Sequence, residues 1–168
     1  MAYDFDGDDY LSVPGGGELQ SMTAVTITGW VFLREVINQT PISKPRHVNG
    51  SMDTNSWQYE VDTPAQGCLT GPTRVCTADV VDFDQWQHFA AIWVGAQKRL
   101  YLDGTMVMQM PAILQLDDSD VVIGADYHLD PDTGEMTSVF VHIDGLMDEV
   151  RIYNRELSDG EITALANP

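Results

Sequence analysis

Four aspartates carry the strongest suggestion of chemistry in this chain. Asp6, Asp8 and Asp9 crowd three carboxylates into one opening turn. Calcium takes six to eight oxygens from carboxylates and turn carbonyls, so the turn offers the right type of ligand. Asp148 lies in the run Leu146-Met147-Asp148-Glu149-Val150-Arg151-Ile152-Tyr153. Alternation there puts Leu146, Val150 and Ile152 on one face of a strand and Glu149, Arg151 and Tyr153 on the other. Asp148 falls on the apolar side. A buried, unpaired carboxylate is costly, so Asp148 predicts a cation, an arginine or several N–H donors beside it. The protein-only alternative pairs it with Arg151 or Arg155 and leaves the opening turn solvated.

A second acidic cluster runs from Asp126 to Glu135. Asp130-Pro131-Asp132-Thr133-Gly134 imitates the start of a calcium loop, but Pro131, and Val141 at the twelfth position, break that pattern. It reads instead as a turn joining two strands. With Tyr127 and His128, Asp130 and Asp132 make an accessible loop, expected as a ligand or partner surface.

Cys68 and Cys76 flank a Gly71-Pro72 turn, which would bring the sulfurs together across a hairpin. A disulfide fits an extracellular setting, and two free thiols are the alternative. His88 has no catalytic partner near it in sequence and reads as a structural histidine.

These residues need a scaffold of short strands. Residues 24–33 form a long strand with Val25, Ile27, Val31 and Leu33 on one face, and Trp57, Tyr59 and Val61 alternate with Gln58 and Glu60. Further strands are expected at 86–94, 98–103, 105–110, 120–124, 139–143 and 146–153. Phe89, Ala91 and Trp93 are assigned to the core. Met106, Met108 and Met110 share a face by spacing, and Asp103-Gly104 marks a hairpin. Pro45 to Thr54 reads as an exposed loop. Ser158-x-x-Glu161 has capping-box spacing and opens a short helix carrying Ile162 and Leu165. This texture, with 14 Gly and 8 Pro supplying turns, predicts an all-β antiparallel two-sheet sandwich with one C-terminal helix, in a single domain over 1–168.

Six signatures, followed by the closing strand and helix, occur in an order that resembles the laminin-G-like, concanavalin-A-like jelly rolls. Tyr3 to Tyr10 is similar to the opening FDGxDDYV, with one residue fewer after Gly7. Ile27-Thr28-Gly29-Trp30-Val31, Gln39 to Lys44, Trp86 to Ala90, Leu100 to Gly104 and Val122-Ile123-Gly124 follow, and the closing strand and helix complete the series. The resemblance implies the sandwich fold. It also implies a structural calcium where the first and last strands meet, carried here by Asp6, Asp8, Asp9 and Asp148. It does not choose a function, because lectins, glycosidases and adhesion modules share the architecture. Laminarinase-type members place a retaining pair of carboxylates in a Glu-x-Asp-x-x-Glu strand, and such chemistry needs carboxyls ~5–5.5 Å apart. Glu60-Val61-Asp62 begins that pattern, but Ala65 stands where the second Glu belongs. Catalysis is therefore not expected.

The formal net charge of −18 opposes binding to nucleic acid or anionic membranes and favours cations. No apolar run reaches the ~18 residues of a membrane span. The N-terminus shows no basic start or apolar stretch of a signal peptide, so the chain is read as a complete displayed protein, with an excised secreted module as the alternative. The expected role is a non-catalytic binding protein at the cell exterior or a virion surface, such as a decoration, fibre or adhesion component. Its partner would be protein, from copies of itself or a capsid or surface assembly, or carbohydrate. A carbohydrate-binding module of a larger secreted enzyme is the competing role, and a glycosidase the remote one.

Overall fold

The computed structural model describes residues 1–49 and 55–167. The first half contains strands β1 (Tyr3–Asp6), β2 (Leu11–Val13), β3 (Ala24–Leu33), β4 (Gln39–Pro45), β5 (Asn55–Asp62), β6 (Gln66–Thr70) and β7 (Val75–Asp79). The second adds β8 (Trp86–Val94), β9 (Gln97–Leu102), β10 (Thr105–Pro111), β11 (Val121–Ile123), β12 (Asp126–Leu129), β13 (Met136–Phe140) and β14 (Asp144–Tyr153), then helix α1 (Asp159–Ala166). They build two six-stranded antiparallel sheets, β1-β14-β3-β8-β9-β10 and β2-β11-β4-β5-β6-β7, with β12 and β13 as a separate hairpin. The antiparallel sandwich with a closing helix is the architecture that strand alternation predicts.

The core lies between the sheets. Val25, Ile27, Val31 and Leu33 of β3 and Phe89, Ala91 and Trp93 of β8 meet Trp57, Tyr59 and Val61 of β5, all buried. The Tyr59 ring stacks on Phe89 with centroids 4.7 Å apart, and Trp57 leans on Trp93 at 6.2 Å. Large aromatic pairs of this kind contribute both burial and oriented ring contact. Because side chains alternate along β5, its other face carries Gln58, Glu60 and Asp62 outward.

Two smaller clusters cover the outer faces. Helix α1 sets Ile162 against Ala90, Ile92 and Tyr101 on the first sheet, with Leu157 from the segment before the helix. Its start is fixed by a complete capping box: Glu161 N–H donates to the Ser158 side chain, and Ser158 N–H donates to the Glu161 carboxylate. On the second sheet, Val122 turns away from the core and packs with Ala125, Tyr127 and Leu129. The β12–β13 hairpin thereby lies against the outer side of that sheet, over β4.

Two strands depart from simple alternation, for one reason. In β14, Asp148 faces Trp30 and Arg151 faces Thr28, so three steps on one strand match two on the other. The extra residue forms a bulge, with Glu149 at φ +54°. Before it Gly145 and Met147 point inward, and after it Val150 and Ile152 pack against the core. Asp148 is therefore on the outer side, not on the apolar face that unbroken alternation assigns it. A bulge between Met106 and Met108 likewise turns Met106 to the face opposite Met108 and Met110. Met108 is buried, whereas Met106 and Met110 are exposed. The loop expected from Pro45 to Thr54 starts differently, since Pro45 is buried in β4, and residues 50–54 lie outside the described ones.

Candidate functional site

A cleft of about 480 Å³ opens on the outer face of the second sheet. Its floor is the polar face of β5, with Asn55, Gln58, Glu60 and Asp62. Thr70 and the turn carrying Pro72 and Arg74 form one wall, and Asp126, Phe140 and Val141 form the other. Gly71 makes the first wall possible. It has φ +123°, and a Cβ there would sit 2.5 Å from the Ser56 carbonyl oxygen. This turn folds Arg74 back over the sheet, where it pairs with both Glu60 and Asp62. The guanidinium beside it holds the Asp62 carboxyl below the usual carboxylate range.

Asp126 anchors a chain of amides across the floor. Gln58 Nε2 donates to Asp126 Oδ2 at 2.8 Å, and Asn55 Nδ2 donates to Gln58 Oε1 at 3.1 Å. The other Asp126 oxygen accepts from Tyr127 N–H at 2.8 Å. Burial pushes the Asp126 carboxyl up to about 6, against the pull of these donors. Two oxygens lining the cleft, Asn55 Oδ1 and Thr70 Oγ1, have no hydrogen-bond partner among the described residues. Buried polar atoms normally do find partners, so these two are unsatisfied acceptors set just beneath the cleft surface.

The sequence-derived sites are distributed differently from the expectation. Asp6, Asp8 and Asp9 do converge, with ligand atoms within 4.8 Å of one another, all on exposed residues. A hydrogen bond with Asp6, followed by the charges of Asp6 and Asp9, raises the Asp8 carboxyl above its ordinary value. This donor set fits a divalent cation that turn carbonyls and water would complete. Asp148 does not join it. Asp6 pairs with Asp144, and Asp148 is four residues further along β14, roughly 13 Å away. It lies 3.6 Å from the Met1 amino group and accepts from Glu149 N–H, without Arg151 or Arg155. Arg151 pairs with Glu149, and Arg155 with Glu161. The cation that ties the first strand to the last is Arg34, which reaches Asp4, Asp144 at 2.9 Å, and the Phe5 carbonyl.

The acidic loop is also reassigned. Tyr127 is buried, with its hydroxyl donating to the Asp120 carbonyl at 2.6 Å, so it supports the hairpin from below rather than forming a surface. His128 is half-buried against Phe140 at 4.3 Å. Asp130 accepts from the N–H groups of Asp132 and Thr133, which closes a tight turn and lowers its pKa. Only Asp132 keeps the exposure expected of it. Cys68 and Cys76 are joined in a disulfide across β6 and β7. Asp62 lies near both sulfurs, but a disulfide has no thiolate to bind metal. His88 is buried edge-on to Trp30, and burial holds it down to about 4, so it is neutral at physiological pH. Sequence reading missed Arg74 and Asn55, and took Asp126 only as the start of the acidic loop. Polar alternation on β5 marked the floor, but no local signal shows that Asp126 crosses over it.

The fold and the cleft define a two-sheet jelly roll with a polar recess on one outer face. The chain belongs to the Concanavalin A-like lectin/glucanases superfamily, whose family pattern matches residues 5–163. No protein with a curated description matches it in sequence. Among solved structures it is similar to the carbohydrate-binding module of Ruminococcus gnavus IT-sialidase, bound to α2,3-sialyllactose. That match has TM-score 0.73 and 12% identity, covering 99% of this chain and 98% of the other. It is also similar to domain 4 of an extracellular arabinanase from Geobacillus stearothermophilus, in complex with arabinotriose. There the TM-score is 0.70 at 16% identity, over 99% and 76% of the two chains. A pentraxin from Limulus polyphemus matches with TM-score 0.68 and 14% identity, over 99% and 81%. Identities this low establish the shared fold.

Proposed function

We propose that this protein is a non-catalytic glycan-binding sandwich, and that the cleft between β5 and the β12–β13 hairpin is its site. The observation that carries this is a recess floored by side-chain amides and carboxylates, with two oxygens unpartnered among the described residues. Sugars present hydroxyls in fixed directions, and such a floor offers matching acceptors and donors. Phe140 adds one aromatic ring at the rim. The two solved sugar complexes on the same fold support the reading. Binding of neutral oligosaccharides, measured by calorimetry, should weaken about tenfold or more in Gln58→Ala, which removes the middle of the amide chain. Failure of a broad panel of oligosaccharides to bind at all would retire it.

The carboxylates are poorly placed for hydrolysis. Arg74 engages Glu60 and Asp62, while Asp126 has partners on both oxygens and is buried. A general acid must present a proton to the leaving oxygen, and both Asp126 oxygens are already engaged by Gln58 and its own strand. Incubation with β-glucans, agar or laminarin should release no reducing sugar. The disulfide supports an extracellular or surface setting. A displayed adhesion or virion-decoration role with a protein partner is the second reading. It is favoured by exposed Tyr3, Tyr10, Leu11 and Val13 along the N-terminal segment that edges both sheets. Calcium at Asp6, Asp8 and Asp9 is kept as part of the proposal, without Asp148.

A further inference from the structure

The charges and hydrogen-bonding groups of the cleft narrow its ligand, given that the cleft binds glycan. We infer that it selects sugars bearing a free amino group over acidic sugars, taking a glucosamine-type unit as its preferred residue. Three carboxylates line it, Glu60, Asp62 and Asp126, against one guanidinium, Arg74. Three negative charges against one positive leave the lining at −2 when all are ionised, within a chain of net charge −18. Arg74 is the group an acidic sugar would use. Its Nε and Nη2 are already committed to two carboxylates, Glu60 and Asp62. A carboxylate ligand approaching Arg74 would therefore meet the repulsion of Glu60 and Asp62 together with the attraction of the guanidinium.

The unpartnered atoms point the same way. Asp126, as a carboxylate, can only accept, so Gln58 must present its Nε2 to it and its Oε1 to Asn55. Asn55 then spends Nδ2 on Gln58 and is left with Oδ1. The residue is buried, at 8% exposure, and its atom without a partner among the described residues is an acceptor. Asp126 therefore acts as a positioning residue: its charge sets the direction of the whole amide chain. Thr70 Oγ1 adds a second unpartnered oxygen that can accept. An ammonium group brings three donors and a positive charge to a place that offers acceptors and negative potential. An N-acetylated unit has lost that charge, and a sialic acid carries the opposite one.

The test compares three probes by calorimetry near pH 7: a glucosamine oligomer, its fully N-acetylated counterpart, and α2,3-sialyllactose. The glucosamine oligomer should bind about tenfold more tightly than the N-acetylated one, a ratio that shrinks in high salt as the charges are screened. Sialyllactose should bind most weakly of the three. Asp62→Asn should reduce the ratio of the two affinities several-fold, because it removes one of the three carboxylates of the lining. Asp130→Asn, in the remote turn, should leave the ratio unchanged, and matching melting curves confirm that each variant folds. Equal affinity for the amino and N-acetylated oligomers would overturn the inference while leaving glycan binding intact. So would tighter binding of sialyllactose. Binding of none of the three, when other neutral oligosaccharides do bind, would also overturn it. Loss of every glycan would remove the underlying reading as well. Equal binding of a simple polyamine would place the charge preference outside sugar recognition and overturn the assigned ligand.

Discussion

Gln58 and Asp126, sixty-eight residues apart, share a 2.8 Å hydrogen bond that joins the floor of the cleft to the hairpin above it. The contact gives a buried carboxylate its side-chain donor and fixes the direction of the amides beyond. Burial acts against it, and makes Asp126 a group that the folded state would hold more easily without its charge.

That conflict predicts a pH dependence with a definite sign. Burial raises the folded carboxyl to about 6, above its unfolded value near 4. The folded state thus prefers the protonated form. The stabilising contribution is complete below pH ~4 and is lost as pH rises through about 6. Two units correspond to roughly 3 kcal/mol as an upper figure. Asp126→Asn should melt higher than the parent at pH 8 and close to it at pH 4. The charged and titratable groups around it are Glu60, Asp62 and Arg74, so the difference between the two proteins is the quantity to follow. An unchanged difference across that range would reject this account of Asp126.

Arg74 should show the opposite trend through Asp62. Its guanidinium lowers the Asp62 carboxyl, so the stabilisation is present above the unfolded value and lost as pH falls. The pair is partly exposed, and screening limits its worth to about 1 kcal/mol. Arg74→Gln should cost about that at pH 7 and almost nothing at pH 2. Urea melts at both values measure it, and an equal cost at both would count against the ion pair.

Arg34 takes the role of pinning the first strand to the last. Arg34→Met removes pairs to Asp4 and Asp144 and a bond to the Phe5 carbonyl. The site is partly exposed, so the expected loss is about 1–2 kcal/mol. Amide exchange should speed up first in residues 3–6. Unchanged protection there would show that the β1–β14 pairing holds without it.

Calcium, if held by Asp6, Asp8 and Asp9, stabilises the fold by ~2.7 kcal/mol at a hundred times its Kd. EDTA-treated protein should then melt several degrees higher with millimolar calcium. Asp8→Asn should remove the shift, and Asp148→Asn should not, because Asp148 lies far along the strand. A melting point indifferent to calcium ends the proposal.

The disulfide closes a small loop between Cys68 and Cys76, so its removal by paired alanines should cost about 2–3 kcal/mol. Intact mass of unreduced protein should be two hydrogens below that of the reduced chain. Two thiols alkylated in native protein would exclude the bridge.

Much of the sandwich was readable locally. Val25, Ile27, Val31 and Leu33, or Phe89, Ala91 and Trp93, declare a buried strand face because side chains alternate with period two, and neighbouring residues are enough to see it. Ser158 and Glu161 declare a helix start for the same reason: both halves of the cap lie within four residues. Asp148 marks where this ends. One extra residue in β14 turned its side chain outward, and a bulge is settled by the partner strand β3 rather than by its own sequence. The cleft was still less legible. Its acids come from β5 and β12, its arginine from a turn after β6, and the carboxyl of Asp126 takes its raised pKa from burial beneath a hairpin. Composition set the acidity and the strand pattern set the layers, since both are properties of residues and their neighbours. Which acids meet, which arginine neutralises them and which oxygens stay unpaired depend on distant segments being brought together, and only the packed tertiary structure decides that.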